Sequence, residues 1–281
     1  MSQTVYLFVT SERPDPYLNS IAHCFKIGIR RVVFISIRGF GERDMLITAS
    51  EKELSLIALR HVNLLLDSLA DGQYRFFDKK EGKEEEAKKK RVDLGTHYSE
   101  SELTAIKATY KQIWDTSSKW EHKEIDYLEM RKELAKLNKE GEDPIFDVTA
   151  VSKSYLGDLV ACCLLERIQN LHTFDQRAKP NFEEPWKMLF HELWADDEGK
   201  KLYRYTNIVH TPVYTVCSKS ALINTTPIKA LLIISVVLLL ALVGINFYVK
   251  ELNWIVQVTS IFSALASIIS LYLTFSPPRG G

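Results

Sequence analysis

Cysteine is sparse, and none of the four forms a metal-binding or disulfide pattern. Cys162 and Cys163 are adjacent in an apolar helical pattern. Cys24 and Cys217 stand alone, with no CxxC spacing and no histidine at a zinc-site interval, so all four read as reduced, buried thiols. Neither sign of charge is in excess: 36 Lys+Arg balance 36 Asp+Glu. That excludes a globally basic nucleic-acid binder, and with it a duplex partner, but leaves room for a local basic pocket. Twelve glycines and nine prolines in 281 residues are too few for a collagen-like or low-complexity chain. Also missing are GxGxxG after a strand, GxxxxGK[ST], HExxH, GxSxG and any acidic pair at catalytic spacing. The seven histidines (23, 61, 97, 122, 172, 191 and 210) are scattered, and each reads as a surface or satisfied imidazole rather than a general base. The sequence thus points to no cofactor, metal or catalytic group.

The charge that is present is unevenly placed. Of 72 charged residues only Lys229, Lys250, Glu251 and Arg279 lie beyond position 226. Ala230 to Val249 is an uncharged run of 20 residues, long enough as a helix to cross the roughly 30 Å core of a bilayer. A second uncharged run, Leu252 to Pro278, follows after two charged residues. Two adjacent runs of this length are rare as buried core helices, so residues 227–281 read as an antiparallel α-helical transmembrane hairpin. Tyr248 and Trp254 would sit near one interface and Tyr272 near the other. The opening MSQTVYLFVTSERPDP has neither a basic n-region nor an apolar stretch of signal-peptide length. The expectation is a multi-pass protein of a bacterial or archaeal inner membrane, its partner the lipid bilayer, with both termini cytoplasmic. Lys229 and Arg279 agree with that orientation.

The charged front part alternates between strand and helix patterns. Thr4–Thr10 (TVYLFVT), the amphipathic Tyr17–Ile27 and Arg31–Ile37 (RVVFISI) form a strand, helix, strand unit. A helix over Ser50–Leu69 opens on a capping box of Ser50 and Glu53. Gln73–Phe77 would be a third strand. KKEGKEEEAKKKR (Lys79–Arg91) reads either as a solvated loop or, through Lys88–Arg91, as a basic element near phosphates. Helical patterns at Ser99–Trp114 and His122–Lys139 complete what looks like a helical insertion at about 79–141. A second unit follows: strand Pro144–Val151, helix Ser154–Ile168 and strand Leu171–Phe174. The fold class expected is α/β, a Rossmann-like parallel sheet over residues 1–178. Residues 179–226 read as an aromatic connector with a strand near Ile208–Val216.

In a doubly wound sheet, ligands bind outside the carboxyl ends of the strands, where helix N-termini offer free N–H groups. Here those ends carry Thr10, Ser11 and Arg13 after the first strand, Arg38 after the second, and Thr149, Ser152 and Lys153 after the strand of the second unit. Hydroxyls and cations of this kind suit phosphates; Lys153 reads equally well as an ordinary solvent lysine beside a helix start.

The stretch Asp147-Val148-Thr149-Ala150-Val151-Ser152-Lys153 resembles the D-x-T-G-x-x-K type motif of CARF domains, the CRISPR-associated Rossmann-fold sensors of cyclic oligoadenylates. Val5–Ser11 also resembles that family's first ligand-contacting loop. Ala150 stands where the family usually has glycine, and the 79–141 segment has no family counterpart. The resemblance implies a homodimer or higher homo-oligomer in antiviral defence, with a two-fold pocket built from Thr10, Ser11, Thr149, Ser152 and Lys153 for a cyclic oligonucleotide.

In the second apolar run Ser260, Ser263, Ser267, Ser270 and Thr274 fall three and four residues apart on one helix face, with Asn253 seven residues before Ser260 and Asn246 in the first run. Such a stripe is either a packing seam in lipid or the lining of a water-filled path. The reading is a membrane effector in which a cyclic oligoadenylate drives membrane perturbation or pore formation. Its alternatives are a membrane-anchored nucleotide-processing enzyme, with Ser11 and Lys153 promoting slow cleavage, and a scaffold anchored by the hairpin.

Overall fold

The structure is a computed structural model that describes residues 3–38, 54–77, 91–140, 142–194 and 202–221, together with Ser263 and Ser267. The chain divides into two compact units between Thr211 and Pro212. The first is built on β1 (Thr4–Val9), α1 (Asp15–Lys26), β2 (Arg31–Arg38), α2 (Leu54–Ala70), β3 (Gln73–Arg75), β4 (Arg91–Asp93), α3 (Glu100–Ser117), β5 (Glu121–Asp126), α4 (Met130–Glu140), β6 (Ile145–Asp147), α5 (Lys153–Leu165), β7 (Leu171–Gln176), α6 (Phe190–Trp194) and β8 (Tyr203–Asn207).

Six strands form the main sheet in the order β5-β2-β1-β6-β7-β8. All neighbours are parallel except the last pair, β7 with β8. Counted along the chain without the β3–β4 hairpin, this is the doubly wound order 3-2-1-4-5-6. Every residue of β1 and the six inner residues of β2 are buried, as expected of central strands covered on both faces. One face packs on α1, α2, α3 and α6 through residues such as Leu18, Ile21, Leu65, Ile106 and Phe190. The other packs on α4 and α5 through Leu134, Leu137, Leu159 and Cys163. After α1 the chain turns at Gly28, whose φ of +99° favours a residue without Cβ.

Four differences from the sequence reading have physical causes. His122–Lys139 is not one helix: Glu121–Asp126 is the edge strand β5, paired with β2. An edge strand can keep its charges in water, and here Arg31–Glu121 and Lys123–Glu133 ion pairs flank it, so apolar alternation is absent. Residues 79–141 therefore include a strand of the sheet rather than forming a helical insertion. Gln73–Arg75 lies outside the main sheet and pairs with β4 in a separate two-stranded ribbon. The last strand falls at Tyr203–Asn207 instead of Ile208–Val216, inside the segment read as a connector and beyond residue 178, and a 3-10 turn at Ile208–His210 ends it. The capping box is real at α3, where Ser99 and Glu102 cap each other; the one expected at Ser50 and Glu53 lies outside the described residues, as do Lys79–Lys90.

The second unit contains α7 (Pro212–Ala221). Among the described residues no helix is long and apolar enough to cross a membrane. The uncharged runs 230–249 and 252–278 lie outside the described residues except Ser263 and Ser267, which are helical and exposed, the Ser267 hydroxyl donating to the Ser263 carbonyl at 2.9 Å.

A buried polar chain joins α3 to α6. The Tyr110 hydroxyl meets His191 Nδ1 at 2.8 Å, and the Tyr98 hydroxyl meets Nε2 at 3.2 Å. Whichever ring nitrogen carries the proton, one tyrosine accepts from the neutral imidazole and the other donates to it. Burial holds the His191 imidazole down at about 4, and burial together with the nearby His23 and His210 does the same for His172. Between about pH 6.5 and 4 the unfolded chain binds protons on these rings that the folded chain does not, so stability is lost as pH falls through that window. Urea titrations across pH 7 to 4.5 should show this loss, and His191→Gln should flatten its slope; equal slopes would contradict the assignment.

Candidate functional site

The order of the main sheet reverses between β1 and β6. Their crossover helices leave on opposite faces, α1 on one and α5 on the other, which opens a crevice outside the carboxyl ends of the two strands. The loops after these strands are the two that carry Thr10–Arg13 and Thr149–Lys153, and direct bonds hold them together. The Thr10 hydroxyl donates to the Ala150 carbonyl at 2.6 Å and accepts the Ser152 N–H at 2.7 Å. It is therefore a staple between loops, with its donor and one acceptor position already used.

The other hydroxyls divide between structure and surface. Thr149 Oγ1 accepts the Phe174 N–H at 2.7 Å and lies 3.2 Å from the Ser20 hydroxyl, so it faces the interior. Ser11 is held by its backbone: the Tyr17 hydroxyl donates to its carbonyl at 2.8 Å and accepts its N–H at 3.1 Å. Its own Oγ accepts the Arg13 N–H at 3.2 Å. The Glu12 carbonyl contacts His61 Nδ1 of α2 at 2.8 Å, so the loop presenting the exposed Arg13 is braced from both sides. Arg38 is not gathered with these residues: at the end of β2 it pairs with Asp126 of β5 at 3.0 Å, on the side of the sheet away from β6. Hydrogen bonding to Arg38 lowers the Asp126 carboxyl below its usual range.

Ser152 occupies the N-cap position of α5 in extended geometry, but its side chain does not cap the helix; it meets the Ser154 hydroxyl at 2.8 Å instead. Among the described residues the first N–H groups of the helix, those of Lys153 and Ser154, have no acceptor. Lys153 is exposed beside them. Two amides at the positive end of a 13-residue helix with an ammonium beside them are an arrangement that suits an anion; the Arg13 charge acts on Asp15 and Tyr74.

The organising residue of this site was quoted in the sequence motif but not counted among its ligand groups. Asp147, the last residue of β6, is 2 % exposed. Its Oδ1 accepts the Thr149 N–H at 2.9 Å and its Oδ2 the Tyr205 hydroxyl at 2.8 Å, with the Thr149 and Ser20 hydroxyls nearby adding to the stabilisation of its charge. Burial raises its carboxyl above the usual range, opposed by those bonds. Tyr205 in turn accepts Cys24 Sγ at 3.7 Å and stacks on His172, with ring centroids 4.9 Å apart. Burial pushes the Cys24 thiol up to about 12, which agrees with its reading as inert. An acid at the end of an apolar strand was a legible signal, because a buried carboxyl must find donors. Ser20 and Tyr205 carried no such signal, since only the tertiary fold brings them in. Cys163 is likewise buried and Cys162 half-buried, while Asn246, Asn253, Ser260, Ser270 and Thr274 lie outside the described residues. Among the described residues no three His, Cys, Asp or Glu side chains converge on a metal position.

No protein-family model matches the chain, and no curated protein is significantly similar to it. Among solved structures it is similar to Enterococcus italicus Csm6 bound to cyclic hexa-2'-fluoro-hexa-dAMP, at 7% identity and a TM-score of 0.33, over 98% of this chain. The match spans 56% of the length of that protein. At this TM-score the likeness adds nothing to what the strand order establishes.

Thr10→Val keeps the shape of the side chain and removes the staple. Leaving the Ala150 carbonyl and Ser152 N–H unpaired should cost about 1–3 kcal/mol. Chemical denaturation should register that loss, and amide exchange at Ser152 should accelerate by at least tenfold; wild-type exchange there would show that the staple does not hold the loop.

Proposed function

We propose that the chain is a membrane-anchored sensor of a cyclic oligoadenylate, whose C-terminal apolar hairpin is the output element. The observation that carries the reading is the uncapped N-terminus of α5 at the β1/β6 switch point, with Lys153 beside it and the Arg13 loop opposite. Phosphates are the anions that such a site suits best, since backbone N–H groups donate to their oxygens and stabilise their charge. The resemblance of Asp147–Lys153 to the CARF motif narrows the ligand to a cyclic oligoadenylate. In this reading Lys153, Ser152 and Arg13 touch the ligand, Thr10 and Thr149 position the loops, and Arg38 serves the β2–β5 edge. A ring of phosphates has the symmetry of a homodimer pocket, which favours two copies contributing one loop pair each.

The membrane part rests on the two uncharged runs and on the hydroxyl stripe. The i−4 hydroxyl bond of Ser267 is the way such side chains meet their hydrogen-bonding need within a helix in lipid. Ligand binding would act on the hairpin only to the extent that it favours one arrangement of the oligomer over another.

Calorimetry with the purified full chain and a panel of cyclic oligoadenylates should detect micromolar or tighter binding. Lys153→Ala should weaken it about tenfold, the worth of one charge-assisted hydrogen bond. No binding across the panel would overturn the sensor reading, and hydrolysis at many turnovers per second would replace it with the enzyme. In liposomes, leucine at Ser263, Ser267 and Ser270 should abolish ligand-dependent dye leakage while leaving ligand affinity intact; unchanged leakage would reduce the stripe to a packing seam.

A further inference from the structure

The first unit contains a second concave site, which shares no residue with the strand-end loops. A cleft of about 530 Å³ lies between the C-terminal half of α1, the exposed side of α3 and the short α6. This volume falls in the range of small-molecule sites. The floor is apolar and aromatic, with Ala22, Ile106, Ile113 and Phe190 buried and Phe25 half-buried.

Polar groups on the lining are already ordered. Glu102 accepts the N–H and hydroxyl of Ser99 in the α3 cap, and the Tyr98 hydroxyl meets His191 Nε2. The Glu102 carboxylate is thereby supplied with donors and does not call for a cation in the cleft.

Arg30 differs. Its Nη1 donates to the backbone carbonyls of Phe25 and Ile29, and its Cζ stands 3.6 Å above the Phe25 ring. Two carbonyls and a ring face thus fix the plane of the guanidinium, removing much of the flexibility that normally weakens an exposed arginine. Among the described residues its Nε and Nη2 have no acceptor. Those two nitrogens form the edge that grips a carboxylate with parallel hydrogen bonds. A pinned guanidinium with that edge unused, on the wall of an aromatic-floored cleft, is complementary to one kind of molecule.

We propose that this cleft binds a small organic carboxylate with an aromatic body, the carboxylate on Arg30 and the ring against Phe25 and Phe190. The site is separate from the anion site at the strand ends and does not rest on the function proposed for it. A ligand there would touch α1, α3 and α6 at once and brace them against one another.

The test uses the purified full chain and four probes: indole-3-acetate, 3-phenylpropionate and the primary amide of each. Saturation-transfer NMR should detect both carboxylates with submillimolar Kd and show the uncharged amides at least tenfold weaker, since the amides keep the ring but lose the charge. Arg30→Gln should bring carboxylate affinity down to that of the amides. Ala105→Trp, at an exposed position of α3 on the cleft wall, should block all four probes by filling the space while preserving the fold. Both variants should bind cyclic oligoadenylate as the wild type does, which separates failure here from failure at the strand ends. The proposal is overturned if neither carboxylate binds at 1 mM, if acids and amides bind alike, or if Ala105→Trp leaves binding unchanged.

Discussion

The first unit is organised around a carboxyl group that water cannot reach. Moving an unpartnered carboxylate into an apolar interior costs several kcal/mol, so Asp147 requires the fold to bring donors to it. They arrive from its own loop through the Thr149 amide and from β8 through Tyr205, while Ser20 of α1 meets the Thr149 hydroxyl beside it. The Thr149 hydroxyl extends the network to β7 by accepting the Phe174 N–H. Removing any one donor leaves a charged acceptor short of a partner in a medium of low dielectric, so the position of the loop is determined several times over. The Thr10 staple then transfers that order to the loop after β1. A rigid crevice follows, although its rim consists of exposed side chains that could not organise it themselves.

The same logic explains why the residues that hold the site and the residues that can touch a ligand are different. Thr10 and Thr149 have their hydroxyls committed to the backbone, whereas Lys153 and Arg13 are exposed. The helix start behind Lys153 remains open because Ser152 bonds Ser154 instead of capping it. Helix α1 serves both ends of the unit. Ser20 and Cys24 face the Asp147 network, while Ala22 and Phe25 of the same helix line the cleft beside α3. With 3.6 residues per turn, one 12-residue helix can present a polar stripe to one partner and an apolar stripe to another.

How much of this could be read in advance depended on whether the signal was local. The βαβ units over β1–α1–β2 and β6–α5–β7 were legible because strands buried on both faces read as apolar runs, and the loops after β1 and β6 were legible because the strand ends of such a sheet are where helix N-termini collect. The edge strand Glu121–Asp126 was not legible, since a strand with one open side can carry Glu121, His122, Lys123 and Glu124 without penalty and so lacks the alternation that marks a strand. Arg38 looked like a ligand group for a related reason: its pairing with Asp126 needs that edge strand to be placed first.

The roles of the two loop threonines illustrate the deeper limit. In the sequence Thr10 and Thr149 are as good phosphate donors as Ser11 or Ser152, because composition records what a side chain can bond but not what it already bonds. Only the partner positions decide, and for Thr10 these lie 140 and 142 residues away. A hydroxyl at a strand end is therefore evidence of a polar junction; whether the junction closes on the protein or opens to a ligand is settled by the count of donors already used. By that count the open valences at this crevice belong to the α5 amides and to Lys153, and the threonines belong to the frame that holds them in place.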